Sequence, residues 1–376
     1  MKPTREDKPV IPGADRTGFF PELHALRGLL ALWVYAYHAV GLGWGKIEHF
    51  PGFWPRISSG AYAVDVFILL SGFVIAGLVN GRAESYGRYL WRRACRLYPV
   101  YLLGLLLALG GISSGWIARP ETGAVGEHFA AHLTLLHGLV PDAWLPDAPV
   151  TLIGAAWSLS LEWQFYLLAP FAVRFAGRSP LRLLLLGLIC LLAQRLTWPR
   201  WAEAGFEFPS LLPTRAGYFY LGIVSWMIVD RAWRSPGLAE RSLLLLAAAP
   251  LLLFVRVEYS VPLLLWAAAL ALILPGEPQA MPLVAALRSL SRRPVAQHLG
   301  SWSYAVYLLH ALVLHPLANA FTSLPAGPLR ALMLGLAGLP LTLGLAALVH
   351  RWVELPAIRY GRAQPQPPAS ASVPIP

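Results

Sequence analysis

Charge is what this chain has least of. Asp, Glu, Lys and Arg make up 13% of its 376 residues, against about a quarter in an ordinary soluble domain, which excludes a water-soluble globular domain of this length. Cysteine is nearly absent. Cys95 lies at the edge of an arginine-rich stretch and Cys190 in an apolar run, so neither a disulfide framework nor a cysteine-based metal centre can be built from them. The N-terminal MKPTREDKPVIPGADRTGFF lacks an apolar core and a small-residue cleavage site, and does not read as a secretory signal. No internal repeat is evident, which counts against the many transporter folds built from repeats. The net charge of +11 comes with no nucleic-acid motif, so nucleic acid is not an expected partner.

Apolar sequence is abundant, at 57% of the chain, and it recurs in runs near the ~20 residues that a bilayer-spanning helix needs. The expected fold is all-α: a polytopic integral membrane protein of about ten spanning helices, near 23–43, 60–80, 97–116, 152–175, 181–198, 212–229, 242–256, 260–275, 296–318 and 329–350. Pro250 in the seventh and Pro262 near the start of the eighth remove backbone hydrogen bonds and predict irregularity there. Arginines crowd alternate connections, as with Arg88, Arg92, Arg93 and Arg96, then Arg288, Arg292 and Arg293. The positive-inside rule then places both termini in the cytoplasm. Residues 1–20 read as a cytoplasmic N-terminal segment, 21–362 as the membrane domain, and 363–376, AQPQPPASASVPIP, as a disordered cytoplasmic tail.

Several polar groups sit where lipid would reject them. Arg27 and His38 are eleven residues apart in LHALRGLLALWVYAYHAVGLGW. At about 100° per residue that is within ~20° of three full turns, so both lie on one helix face roughly 16 Å apart. AYAVDVFILLSGFVI carries Asp65 and Ser71, WSLSLEWQFYLLAP carries Ser158 and Glu162, and SWSYAVYLLHALVLH carries His310. Ionisable groups inside a membrane are costly and are functional-site candidates by default. A helix-bracing hydrogen bond explains any one of them equally well, but several at similar depth on different helices point to a shared polar cavity.

The string RYLWRRACRLYPVY adds Arg92, Arg93 and Arg96. Arg93 and Arg96, three apart, share a helix face and suit a phosphate-bearing ligand, although on charge alone topology anchoring and contact with anionic headgroups explain them better. In the longest outer segment, about 117–151, EHFAAHLTLLHGL sets His128 and His132 four apart beside Glu127. That spacing suits a metal, but no third ligand lies at a matching spacing, and an interfacial or re-entrant segment is the simpler reading. No metal is expected.

In order along the chain, LHALRGLLALWVYAYH, VDVFILLSGFVIAG, RRACRLYPVYL, WSLSLEWQFYLLAP, RAGYFYLGIVSW, SYAVYLLH and VELPAIRYGR resemble the membrane acyltransferase 3 family, from about residue 20 to 362. The arginine–ten residues–histidine spacing and the Trp-Ser-Leu-Ser-x-Glu string are the more specific pieces. The resemblance implies an enzyme of the bacterial cytoplasmic membrane that moves an acyl group, commonly acetyl, from cytoplasmic acyl-CoA to a hydroxyl of a carbohydrate or another acceptor. It matches His38 to the family's essential histidine, Arg27 to its partner arginine, and Arg93 and Arg96, flanked by Arg92, to the arginines that handle the acyl donor. It implies the stand-alone form, without an extracytoplasmic hydrolase-like domain.

On this reading His38 is the general base, a task suited to an imidazole whose unperturbed pKa is about 6.5. Glu162 orients a histidine or stabilises the imidazolium, and Asp65, Ser71, Ser158 and His310 are supporting candidates. The two serines also fit as covalent carriers, but packing or backbone hydrogen bonding suits them better. Acyl-CoA is expected as donor substrate and not as a resident cofactor. The acceptor, the lipid bilayer and envelope-polysaccharide assembly proteins complete the expected partners. The competing class is a proton-coupled transporter or flippase, with His38 and Glu162 as a proton relay. A non-catalytic scaffold is the third. Trp44, Trp54, Trp144 and Trp201 suit sugar stacking and membrane interfaces alike.

Overall fold

Apolar runs broken by proline, glycine and arginine become helices in the computed structural model. It describes residues 20–44, 59–81, 84–117, 119–120, 123–197, 200–206, 208–234, 257–275 and 281–363. Among the described residues there is no strand. In chain order the helices are α1 (Pro21–Trp44), α2 (Gly60–Gly81), α3 (Tyr86–Ser113), α4 (Val125–Leu133), α5 (Ala156–Gly177) and α6 (Pro180–Thr197). They continue with α7 (Ala216–Arg234), α8 (Val257–Ile273), α9 (Pro282–Ser291), α10 (Pro294–Ala320), α11 (Pro328–Val349) and α12 (Leu355–Ala363). A π-helical turn, His350–Glu354, joins α11 to α12.

Five helical stretches are long and apolar enough to cross a membrane: α1, α2, α3, α6 and the continuous run Pro328–Ala363. The helices α5 and α10 are long enough but carry Glu162, Gln164, His310 and several Trp, Tyr and Ser residues, which lower their hydropathy. The helix α6 turns Leu181, Leu184, Leu188 and Leu192 outward, a face suited to lipid.

Several expected boundaries need correction. The third helix begins at Tyr86, not near residue 97, because Ser85 caps it by accepting the Arg88 backbone N–H. Its arginine cluster therefore occupies the first turns of a helix and not a loop. The fourth begins at Ala156, not 152, since Asp147 and Leu152 take left-handed backbone angles of φ +58° and +67°, which an α-helix cannot absorb. The sixth opens as a 3-10 turn, Leu212–Arg215, before α7. The tenth does not stop at 350 but runs on through the π turn to Ala363. The expected seventh helix, 242–256, residues 1–19 and residues 364–376 lie outside the described residues.

Two close helix crossings set the bundle. The helix α1 meets α10 where Gly28 touches the Leu299–Gly300 backbone and Gly300 touches the His24 carbonyl. The helix α2 meets α7 where Gly72 faces the Phe219 carbonyl and Gly222 faces that of Leu69. Small residues let two backbones approach in this way. The α2–α7 contact is also tied by a buried ion pair, Arg215 Nε to Asp65 Oδ1 at 2.6 Å, both residues at most 5% exposed.

A Cβ at position 222 would collide with backbone that has no rotamer to escape into. Gly222→Ala should therefore destabilise the protein by about 1–3 kcal/mol, the usual cost of overpacking. Gly335→Ala, where a Cβ meets open space inside α11, should not destabilise it and should add up to about 1 kcal/mol. Thermal unfolding of both variants in the same detergent checks this; equal melting temperatures would refute the proposed crossing.

Candidate active site

Helices α1, α2, α3, α5, α7 and α10 line a cavity of about 120 Å³. Apolar walls come from Phe67, Ile68, Val74 and Leu159. Against them stand Arg27 of α1, Ser71 of α2, Arg93 and Arg96 of α3, Ser158, Glu162 and Tyr166 of α5, and Tyr304 and Tyr307 of α10. Six of the residues singled out in the sequence, Arg27, Ser71, Arg93, Arg96, Ser158 and Glu162, thus meet around one space.

The arginines there are held differently. Arg96 lies over the Tyr304 ring, 5.5 Å from its centroid, and pairs with Glu354 of the π turn. Glu354 is fully buried and also pairs with His350 Nδ1 at 2.8 Å. Arg93 lies over the Tyr166 ring at 5.8 Å. Neither Arg93 nor Arg27 has a carboxylate within ion-pair distance among the described residues. Each keeps a buried Nε–H without a hydrogen-bond partner. Such a donor is costly to leave unmatched, and an anionic or carbonyl oxygen would satisfy it. Arg92 does not join them. It turns away to pair with Glu84 at 2.7 Å, because its position on α3 faces the preceding connection.

Glu162 accepts two hydroxyl hydrogen bonds on the same oxygen, Oε1, from Ser71 Oγ at 3.0 Å and Tyr166 Oη at 2.5 Å. No histidine hydrogen-bonds to it among the described residues, so the expected Glu162–histidine contact is absent from this geometry. Ser158 Oγ lies 2.7 Å from Tyr307 Oη and donates to the Ala155 carbonyl at 3.1 Å.

His38 stands apart from the cavity wall. It is exposed, and its ring lies 4.8 Å from that of His310, which is 1% exposed. His310 Nε2 is 3.2 Å from His38 Nδ1. Tyr307, which lines the cavity, is 6.4 Å from His310 ring to ring and connects the two regions. Asp65 is also separate: it belongs to the Arg215 pair described above and does not line the cavity.

Sequence reasoning missed several members. Arg215 counts as an outer-loop charge by position, yet an aspartate inside an apolar helix calls for a buried cation, and that signal was readable. Tyr304 and Tyr307 precede His310, which the sequence did single out, at three-residue steps along α10. Tyr166 follows Glu162 by one turn. Glu354 gave no local signal, because its partner is about 260 residues away in sequence.

His132 and His137 are bracing groups. His132 Nε2 donates to the Ala148 carbonyl at 3.0 Å and His137 Nε2 to that of Ala156 at 3.0 Å. The two rings stack with centroids 4.0 Å apart, and Tyr101 Oη lies 2.6 Å from His132 Nδ1. Among the described residues no cluster of three metal-ligating side chains forms. Burial pushes the pKa of His137 down to about 4 and that of His132 well below its usual value. Unfolded, both would titrate near 6.5, so between those limits the unfolded chain binds protons that the folded one refuses. Stability should therefore fall as pH drops from about 6.5 toward 4. Thermal midpoints measured from pH 7 to 4.5 should decline, with a shallower decline in His137→Phe; a flat profile would contradict neutral, buried rings.

The family described as an acyltransferase domain matches residues 20–351. Acyltransferase MdmB of Streptomyces mycarofaciens is 31% identical over 92% of this chain and 93% of its own length. The exopolysaccharide production protein ExoZ of Rhizobium meliloti is 27% identical, over 81% of this chain and 92% of its own. No solved structure matches the chain.

Proposed function

The chain belongs to the membrane acyltransferase 3 family, and from that membership together with the cavity we propose that it moves an acyl group, acetyl in the first instance, from acyl-CoA to a carbohydrate hydroxyl. One observation carries the donor side of this reading. Arg27 and Arg93, each with an unmatched buried Nε–H, line a cavity whose remaining wall combines apolar side chains with hydroxyl groups and Glu162. A phosphate-bearing thioester has that same mixture, with anionic oxygens for the guanidinium groups and an apolar arm for the walls. Arg96, already neutralised by Glu354, shapes the entrance and contributes less charge.

His38 serves as general base on the acceptor hydroxyl. The donor reaches Tyr307 through the cavity, and the acceptor approaches from the exposed side of His38. Glu162 holds Ser71 and Tyr166 in place along the donor path instead of orienting the base. In this reading the bundle has ten spanning helices with both termini in the cytoplasm of a bacterial inner membrane, so that acyl-CoA arrives at the end bearing the arginine cluster. A carbohydrate acceptor accords with the relative named for exopolysaccharide production.

The test uses protein purified into lipid nanodiscs, acetyl-CoA, and envelope glycans extracted from a strain lacking this protein. Thiol release gives the rate, and mass spectrometry of the glycans gives the transferred group. His38→Ala should lower the rate by about 10²–10⁴, the contribution typical of a general base, at unchanged abundance of folded protein. Near-normal transfer would remove His38 from the chemistry.

Arg93→Ala should raise the apparent KM for acetyl-CoA more than that for glycan. Arg93→Lys should restore it only in part, because an ammonium cannot make the planar bidentate contact of a guanidinium. Donor and acceptor titrations distinguish the two constants; a loss confined to protein yield would instead mark Arg93 as a folding residue. Transport of glycan without any thiol release would favour a flippase.

A further inference from the structure

We infer that His310 is a positioning residue for His38, accepting its Nδ1–H so that the opposite ring nitrogen, Nε2, is presented to the acceptor with its lone pair free. This rests on the reading of His38 as the base. The hydrogen bonds fix both tautomers. His310 Nδ1 lies 2.7 Å from the Tyr307 carbonyl oxygen and 3.2 Å from that of Val306. A carbonyl oxygen only accepts, so Nδ1 carries the proton and Nε2 of the neutral ring is an acceptor. His38 Nδ1 lies 2.8 Å from the Val34 carbonyl oxygen, so it too carries the proton, and it shares that proton with His310 Nε2 at 3.2 Å. Nε2 of His38 is then left with the lone pair, and no hydrogen-bond partner claims it among the described residues.

Two acceptors on different helices thus hold one N–H. Val34 alone would fix the tautomer; His310 adds the second direction that fixes the ring's rotation about its bond to the helix. The rings are tilted by 48°, and the edge of Tyr37 closes another side of His38 with ring centroids 5.4 Å apart. The other ionisable groups near the dyad are Tyr37 on α1 and His315 and Tyr307 on α10, and no carboxylate pairs with either histidine among the described residues.

The chemistry balances without any proton transfer to or from His310. The acceptor O–H proton passes to His38 Nε2 as the acceptor oxygen bonds to the thioester carbonyl carbon. The C–S bond then breaks, and the departing CoA thiolate takes the proton back from Nε2. Between these events His38 is an imidazolium, and its Nδ1–H bond to neutral His310 becomes charge-assisted and stronger. His310 keeps its own proton on Nδ1 throughout. A neutral acceptor at this place avoids burying a carboxylate between apolar helices.

Glutamine places its amide near the Nε2 position of a histidine, and its oxygen can accept the same hydrogen bond; leucine cannot. His310→Leu should lower kcat for thiol release from acetyl-CoA with extracted glycans by about 10²-fold, the lower end of what a base contributes, with KM for acetyl-CoA unchanged. His310→Gln should recover most of that kcat. Both variants are compared at equal amounts of monodisperse folded protein, beside His38→Ala. Unchanged kcat in His310→Leu, or equal losses in the leucine and glutamine variants, would overturn the inference while leaving His38 as base. Full activity in His38→Ala would instead overturn the underlying reading, and this inference with it.

Discussion

A guanidinium group enclosed by apolar helices must find opposite charge or hydrogen-bond acceptors, and this requirement organises much of the bundle. Removing a charge from water costs several kcal/mol even after relaxation, so each buried arginine dictates what stands beside it. Arg215 takes Asp65 and thereby ties the start of α7 to α2. Arg96 takes Glu354 and so ties the last long helix back to α3. That tie coincides with the π turn, where His350 and Glu354 pair four residues apart. An inserted residue of this kind is a common way to re-aim side chains at functional positions.

Arg27 and Arg93 are the two cavity arginines with no carboxylate within ion-pair distance among the described residues, although Glu162 lines the same cavity. Tyr166 illustrates the economy of the arrangement. Its ring receives Arg93 while its hydroxyl goes to Glu162, so the carboxylate stays one side chain away from the guanidinium instead of neutralising it. Compared with Arg96, whose charge is matched within the fold, Arg93 is left available to an incoming anion. The difference lies in the partners and not in the residue type, and three positions on the same helix separate them.

What was legible in the sequence follows from range. Helix existence came through nearly everywhere the structure is described, because runs of about 20 apolar residues are local features. Similar depth in lipid led to the expectation that His38, Asp65, Glu162 and His310 share one cavity; only His38 and His310 meet, while Glu162 joins Arg27, Arg93 and Arg96. Boundaries fared worse where one local cap or one left-handed residue decides them, as at Ser85 and Leu152. Partner choice was the least legible. Asp65 leaves the cavity for Arg215, Arg92 leaves it for Glu84, and Glu162 meets hydroxyls where a histidine was expected. Each of these depends on which face a helix presents after packing, and helical spacing alone does not contain that information.

The α1–α10 crossing shows how packing turns spacing into function. Arg27 and His38 share a face of α1, but one face of a helix can border two different neighbourhoods along its length. Near its start, Gly28 and Gly300 bring the backbones of α1 and α10 into contact, which sets Arg27 against the cavity shared with α3 and α5. Three turns further on, α10 presents His310 to His38. Because α10 also carries Tyr304 and Tyr307 on the cavity wall, one helix spans the cavity and the histidine pair. A shift of α10 along α1 would alter the arginine's surroundings and the histidine's hydrogen bond together. The glycine contact that fixes this register therefore shapes both neighbourhoods as much as the charged groups do, although neither glycine touches the cavity.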